Sequence, residues 1–500
     1  MIKHKAIELL KNFSCRDIKS FKRFLISPYF NRSKSVTRLY IQLIKYHPGF
    51  DDISFIKENI YSKLSKNKPY NDSTFRGLMF DLLQLLYKFI SVEGLTDDKL
   101  QYKVNNIKLL LTRGYTSLAK AEVKNVEKTS NKFKADYNHF YNLYLLDTYK
   151  YNINCETISI HNKTHASSQY DVMSSSCRHL FVFYFMELVC EFINSVIFSN
   201  KYNLELSGTV SRLLLYQIDV NIILKTFKEN KSLFYVLDLY VSLLKLFENL
   251  NDPGFYRSYK NKISKYKNKL SNTELSFHFS ALINYLIIKQ NDRQSIDTNL
   301  ELFEIYEHFL LGEYYKNYQI NYLSAELFRS ILVNALSCKK HDWVENFINI
   351  YSQKLPEKDR LNMYHYGYSL YFISIGKNKE ALEYIKRINT NKFIFKYDMY
   401  NNKLKLYFDF ENPQKALDHI HTYNEFLRKD KFFSETRKER YRNFIKFVKY
   451  IINYKEGKME GDIGYIKNQI ENAELVLNRQ WLLEKISEIK NEKKITRIAQ

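Results

Sequence analysis

Five residues between positions 155 and 179 carry the side chains of a zinc site: Cys155, His161, His165, Cys177 and His179. Thiolate and imidazole both suit zinc, and His161 and His165, four apart, would share one helix face. The segment lacks the short paired spacings, such as CxxC, from which structural zinc sites are built. A polar exposed segment is the simpler reading, so no metal or other cofactor is expected. His419 and His421 are two apart and point to different faces of a helix, which argues against joint catalysis or ligation. No Gly-rich phosphate loop, GxSxG elbow or HExxH motif occurs, and Glu187 and Glu191 lie within an apolar helix, where pairing to lysine or tyrosine is the common outcome. No catalytic residue is expected, and the chain is read as a non-enzyme.

A second kind of chemistry is electrostatic. Arg428, Lys429, Lys431, Arg437, Lys438, Arg440, Arg442, Lys446 and Lys449 outnumber Asp430, Glu435 and Glu439 over positions 428–449. If the interleaved Phe432, Phe433, Tyr441 and Phe444 stacked on bases, this face would bind nucleic acid with a steep salt dependence. The competing reading places the aromatics in the core and the charges in water. The net charge of +23 favours anionic partners, but basic residues are spread along the chain, and a diffuse lysine excess is commonly a solvated surface.

The elements that hold these residues are helices. Gly 12 and Pro 6 make up under 4% of 500 residues, against about 12% in average usage, so tight hairpin turns must be scarce. The Tyr 42 and Phe 36 counts accompany abundant Lys, Asn and Ile, the set that AT-rich codons specify; tyrosine is expected in the core. Five cysteines without regular spacing, and a start that runs into an amphipathic helix, indicate a reducing, cytoplasmic setting. Leu180 to Phe198 is long enough to suggest a membrane span, but Glu187 and Glu191 near its centre argue for a buried helix, and no membrane partner is expected.

Punctuation sets the order of these helices. Ser14 and Asp17 form a capping-box pattern, Ser27-Pro28 should end that helix, and Ser35 should cap the next. Residues 1–95 read as an N-terminal helical cap. Two helices are expected between Asp97 and Tyr151, and 96–317 read as an array of helical hairpins in which 152–178, the least hydrophobic stretch, is the candidate break. One helix is expected over 208–229. In 318–430 a unit repeats: Ala381-Leu382-Glu383-Tyr384-Ile385 recurs as Ala416-Leu417-Asp418-His419-Ile420, thirty-five residues on, and the turns at Gly376 and Glu411 keep that offset. A period near 34 marks helix-turn-helix units that bury their apolar faces only by stacking. Residues 431–500 supply a basic helix and two short helices that cap the array.

The repeats resemble tetratricopeptide-like units, with an intra-hairpin loop one residue longer, Tyr368 at a position usually small, and Asn402-Lys403 where leucines are the pattern. Ser27-Pro28-Tyr29-Phe30-Asn31, Lys68-Pro69-Tyr70-Asn71, Leu427-Arg428-Lys429-Asp430-Lys431 and Trp481-Leu482-Leu483-Glu484-Lys485 resemble stations of a family of uncharacterised helical proteins from Bacteroidota. That resemblance implies a bacterial origin and an all-α fold, and it carries no assigned activity. Tetratricopeptide-like arrays bind partners on the concave face lined by the first helix of each hairpin. By position, Asn362, His365, Ser369 and Phe372 of one repeat and Tyr397, Tyr400 and Tyr407 of the next would line it. The expectation is an all-α solenoid of antiparallel hairpins, a scaffold or adaptor that binds a protein or peptide; the alternative is a nucleic-acid-associated protein using 428–449.

Overall fold

The computed structural model describes residues 2–64, 69–97, 99–130, 134–135, 137–157, 163–202, 204–206, 208–291, 297–316, 321–389, 393–410, 412–431, 435–459 and 462–498. Among them the chain is all-helical, with 24 α-helices from Lys5–Lys11 to Arg479–Ile498 and no strand. Lys68, His161, Glu411, Phe432 and Phe433, which the sequence singles out, lie outside the described residues.

With few glycines and prolines, helix boundaries fall to side-chain caps. Ser14 Oγ accepts from the Asp17 backbone N–H (3.2 Å) while Asp17 Oδ2 accepts from that of Ser14 (2.8 Å), and helix Cys15–Ile26 ends before Ser27-Pro28 as its sequence requires. The next helix, Lys34–Leu43, starts earlier than a Ser35 cap predicts. Ser33 caps it instead, because Asn31 fixes the preceding turn: its amide donates to the Leu25 carbonyl (3.0 Å) and to Thr37 Oγ1 (2.9 Å), and its Oδ1 accepts from the Ser33 N–H (2.8 Å).

The chain divides into two compact units, Met1–Phe183 and Tyr184–Gln500. The division falls inside helix Lys163–Tyr202, just beyond the stretch 152–178, whose described part is helical on both sides of 158–162. In the first unit, one core runs from Ile2 to Phe89, centred on Phe21, whose ring meets Tyr40 edge-on (5.1 Å) and Phe89 (5.2 Å). A separate core, Leu100 to Ile153, joins Lys99–Thr112, Thr116–Ser130 and Tyr137–Thr157, three helices where two were expected.

The second unit is built around helix Lys231–Glu248, in which every residue from Val236 to Leu244 is buried. Its sequence is apolar on all sides, the pattern of a helix enclosed by others. The one acid in that run, Asp238, accepts from Lys262 Nζ (2.7 Å) and from the Tyr266 hydroxyl (2.8 Å). The helix expected over 208–229 is two, Val210–Leu215 and Val220–Phe227. Asp219 splits it by capping the second, its Oδ1 accepting from the N–H groups of Asn221 (2.8 Å) and Ile222 (3.3 Å).

Three consecutive helix pairs follow: Ala325–Ser337 with His341–Tyr351, Glu357–Ser374 with Asn378–Lys386, and Phe393–Asp409 with Pro413–Lys429. Ala381 and Ala416 are fully buried at matching sites, where a larger side chain would push the helices apart. Gly376 takes a φ of +76° and ends its helix: its N–H reaches the Ile373 carbonyl and that of Lys377 reaches Phe372, the Schellman pattern. Gly367 serves packing instead, since a Cβ there would stand 2.8 Å from Ile348 Cγ1 of the preceding helix. The chain closes with Glu435–Lys455, Ile463–Asn472 and Arg479–Ile498, the last a 20-residue helix and longer than expected.

Candidate functional site

The second and third pairs share one arrangement. From Asn362 to Ile373, and from Phe395 to Phe410, no residue is fully exposed, whereas the second helices put Lys379, Glu380, Glu383 and Lys386, or Gln414, Lys415, Asp418 and Thr422, into water. In these two pairs the first helix is the more enclosed, or inner, one and the second the more exposed, or outer, one. A single carboxylate ties the first helices of all three pairs together: Asp398 receives Arg329 through Nε and Nη2 (2.7 Å for the latter) and the Tyr366 hydroxyl (2.6 Å). These groups come from Phe393–Asp409, Ala325–Ser337 and Glu357–Ser374 in turn. The ion pair holds the Arg329 guanidinium in its charged form against the cost of burial, and burial keeps the Tyr366 phenol protonated.

The residues assigned to a concave face divide on this frame. Ser369 and Tyr397 are buried, so they are packing residues and not surface ones. The Ser369 hydroxyl donates to the Tyr366 carbonyl (2.7 Å), and the Tyr397 hydroxyl donates to Asp430 Oδ2 (2.9 Å). Asn362, His365, Phe372, Tyr400 and Tyr407 are half-buried. Four of these turn rings toward the second helix of their own pair: His365 and Phe372 reach Tyr384 (5.7 and 5.4 Å), Tyr400 stacks on His419 (5.4 Å) and Phe426 (4.7 Å), and Tyr407 meets His419 edge-on (5.5 Å). Asn362 Oδ1 accepts from the Asn389 N–H (2.8 Å). Tyr364, Tyr368 and Tyr384 extend the first cluster, Tyr368 stacking on Tyr384 at 5.4 Å. Sequence reasoning treated Tyr368 only as a departure from pattern; the signal it missed was Tyr364, Tyr368 and Tyr371 at helical spacing.

Tyr407 also opens on a cavity of about 290 Å³ lined by Phe408, Asn412, Pro413, Ala416, Ile452, Lys455 and Glu456. Aromatic walls with one cation and one anion at the rim suit a peptide side chain or another small amphipathic group. On the other side of the same inner helix, Lys405 lies over the Trp481 ring (5.6 Å), and burial pushes its pKa down to about 8. Lys485 shares that ring (5.9 Å) and is held by Asp409 (3.1 Å) and Glu488 (3.0 Å).

The basic run is less open than its composition implies. Lys438 is buried, with Nζ on the Asp430 carbonyl (2.8 Å) and Glu435 Oε1 (2.8 Å), so it anchors the entry to its helix and cannot meet a phosphate. Arg437 is half-buried. Arg428, Lys429, Lys431, Arg440, Arg442, Lys446 and Lys449 are exposed. Arg428 and Lys429 pair with Glu425 (2.8 and 3.8 Å), and Arg442 with Glu435 (3.0 Å). Glu435, Glu439, Arg442, Lys446 and Lys449 follow one another on one face, so two acids occupy the first two positions and leave a run of three basic residues. Tyr441 and Phe444 are buried in the core and offer no ring to a base.

Elsewhere, among the described residues, no three His, Cys, Asp or Glu side chains are grouped to hold a metal. His179 Nδ1 lies 2.9 Å from Asp147 Oδ2, and Cys155 Sγ accepts from Gln169 Nε2 (3.2 Å). His419 Nε2 is 2.7 Å from the Tyr400 carbonyl, while His421 is exposed. All five cysteines are unpaired, and burial pushes the Cys190 thiol up, which keeps it un-ionised. Glu274 accepts from the buried Tyr240 hydroxyl, and Tyr259 Oη is 2.7 Å from Nδ1 of the fully buried His278, whose pKa falls to about 3 through desolvation. One described helix, over Lys163–Lys201, is long and apolar enough to cross a membrane by length and composition; half of its most apolar window is buried within the protein.

The chain matches no protein-family model, no curated protein and no solved structure.

Proposed function

We propose that this protein is a non-enzymatic scaffold or adaptor of the cytoplasm, an α-solenoid of antiparallel, tetratricopeptide-like hairpins that binds an extended segment of another protein along its inner helices. The observation that carries this reading is the convergence of Arg329, Tyr366 and Asp398, one from each of three successive first helices. Such a clamp aligns the inner helices side by side, which is how stacked hairpins build a continuous binding face. Half-buried Tyr407, at the edge of the cavity, supplies an anchor of the type that dominates peptide binding. The Bacteroidota resemblance is consistent with this reading and adds no partner.

The second reading, nucleic-acid association, rests on the exposed Arg440, Arg442, Lys446 and Lys449. The buried Lys438, Tyr441 and Phe444 weigh against it. Affinity capture from the source organism, with and without nuclease, separates the two. Recurrent proteins that survive nuclease and are lost with the Tyr407→Ala/Lys455→Ala variant support the scaffold. Recovery of nucleic acid alone would replace it.

A further inference from the structure

Helix Val210–Leu215 is amphipathic in the inverse sense. Ser211 (2% exposed) is buried along with Leu215, while Val210 (70%), Leu213 (59%) and Leu214 (37%), at positions i, i+3 and i+4, form one face in water. Tyr216, just past the helix, is 76% exposed. Beyond a short turn, Ile222 (63%) stands outward on helix Val220–Phe227 while Ile223 and Phe227 face in. The turn is well formed, since Asp219 caps the second helix with two backbone hydrogen bonds. The exposed stripe is therefore a property of folded helices and calls for something to cover it.

The surroundings say what kind of partner that is. Lys225 lies one turn beyond Ile222, Lys228 and Lys231 follow, and all three are exposed without an ion-pair partner among the described residues. Glu205 and Glu229 are the nearby exposed acids, and Asp219 is committed to its cap. Protruding apolar side chains followed along the chain by exposed lysines match an interface that is apolar within and anionic at its rim. A second copy of the chain fits poorly, because each carries +23.

We propose that Val210, Leu213, Tyr216 and Ile222 form a peripheral docking surface for an anionic lipid bilayer, with Lys225, Lys228 and Lys231 at the headgroups. The apolar side chains enter the headgroup–acyl boundary and the lysines stay at the phosphates. The helices, 6 and 8 residues long, are far short of the roughly 20 needed to span. None of these residues belongs to the inner helices, so a scaffold loaded there would be held at a membrane.

Co-sedimentation of the full chain with vesicles tests this. Mixed phosphatidylglycerol–phosphatidylcholine vesicles should carry the protein down, and phosphatidylcholine vesicles should carry much less. The Leu213→Asp/Tyr216→Asp variant, altered only at exposed positions and checked for an unchanged melting curve, should lose binding about tenfold or more. Lys225→Glu/Lys228→Glu should weaken binding to the anionic vesicles alone. Absence of binding to anionic vesicles would overturn the proposal. So would undiminished binding by Leu213→Asp/Tyr216→Asp, which would mean adsorption by net charge alone. Self-association, or stable capture of a protein, that this variant abolishes while vesicles stay unbound would also overturn it, in favour of a protein interface.

Discussion

Arg329 and Asp398, sixty-nine residues apart, form a two-point ion pair that links the first helices of the first and third hairpins, and Tyr366 from the hairpin between them donates to the same carboxylate. A contact of this kind fixes the register of three hairpins at once. It is directional and fully paired, whereas the surrounding aromatic contacts tolerate sliding.

Breaking one side of that pair should be costly. Asp398→Asn leaves the half-buried guanidinium without its counter-charge and should destabilise the protein by about 2 kcal/mol, less than a fully buried pair would lose. Arg329→Met/Asp398→Leu removes both charges and should recover most of that loss. Urea denaturation of the two variants checks the order; equal loss in both would show that packing, and not pairing, is what the site provides.

Close approach at Gly367 predicts a coupled pair. Gly367→Ala should cost about 1–3 kcal/mol because its new Cβ meets Ile348. In an Ile348→Ala background, already weakened by its own cavity, the same change should cost little. A double-mutant cycle measures the coupling. Additive losses would place the effect of Gly367 in the backbone.

Acid should destabilise the second unit through His278. Its folded pKa, about 3, lies below the ordinary 6.5, so between those values the unfolded chain binds a proton that the folded one does not. Stability from this group is full above about 6.5 and falls progressively as pH drops toward 3. His278→Gln should flatten that limb of a stability–pH curve. An unchanged slope would assign acid sensitivity to other groups.

The sequence made much of this fold legible where a residue type has one dominant local role. Ser14 with Asp17, Ser27-Pro28, Gly376, and the paired Ala381 and Ala416 all do what their chemistry dictates. Harder positions involved competition or burial. Ser33 outcompetes Ser35 as a cap only because Asn31 organises the turn, and Asp219 interrupts an apolar run that otherwise reads as one helix. At the candidate site, repeat position alone puts Tyr397 and Ser369 on a surface, but the fold buries both: the Tyr397 hydroxyl is satisfied by the buried Asp430 and that of Ser369 by a carbonyl of its own helix. Lys438 shows the same limit for charge: in a basic run, nothing local marks the one lysine whose ammonium is needed by a backbone carbonyl.

The central claim is that a protein partner lies along the inner helices, and site-specific photo-crosslinking in cells tests it most directly. A photoreactive amino acid in place of Tyr407, on the inner helix, is compared with one in place of the exposed Thr422, on the outer helix of the same hairpin. The account predicts discrete crosslinked protein species from position 407 and none of comparable yield from position 422. Crosslinks from 422 alone, or to nucleic acid from 407, would contradict it.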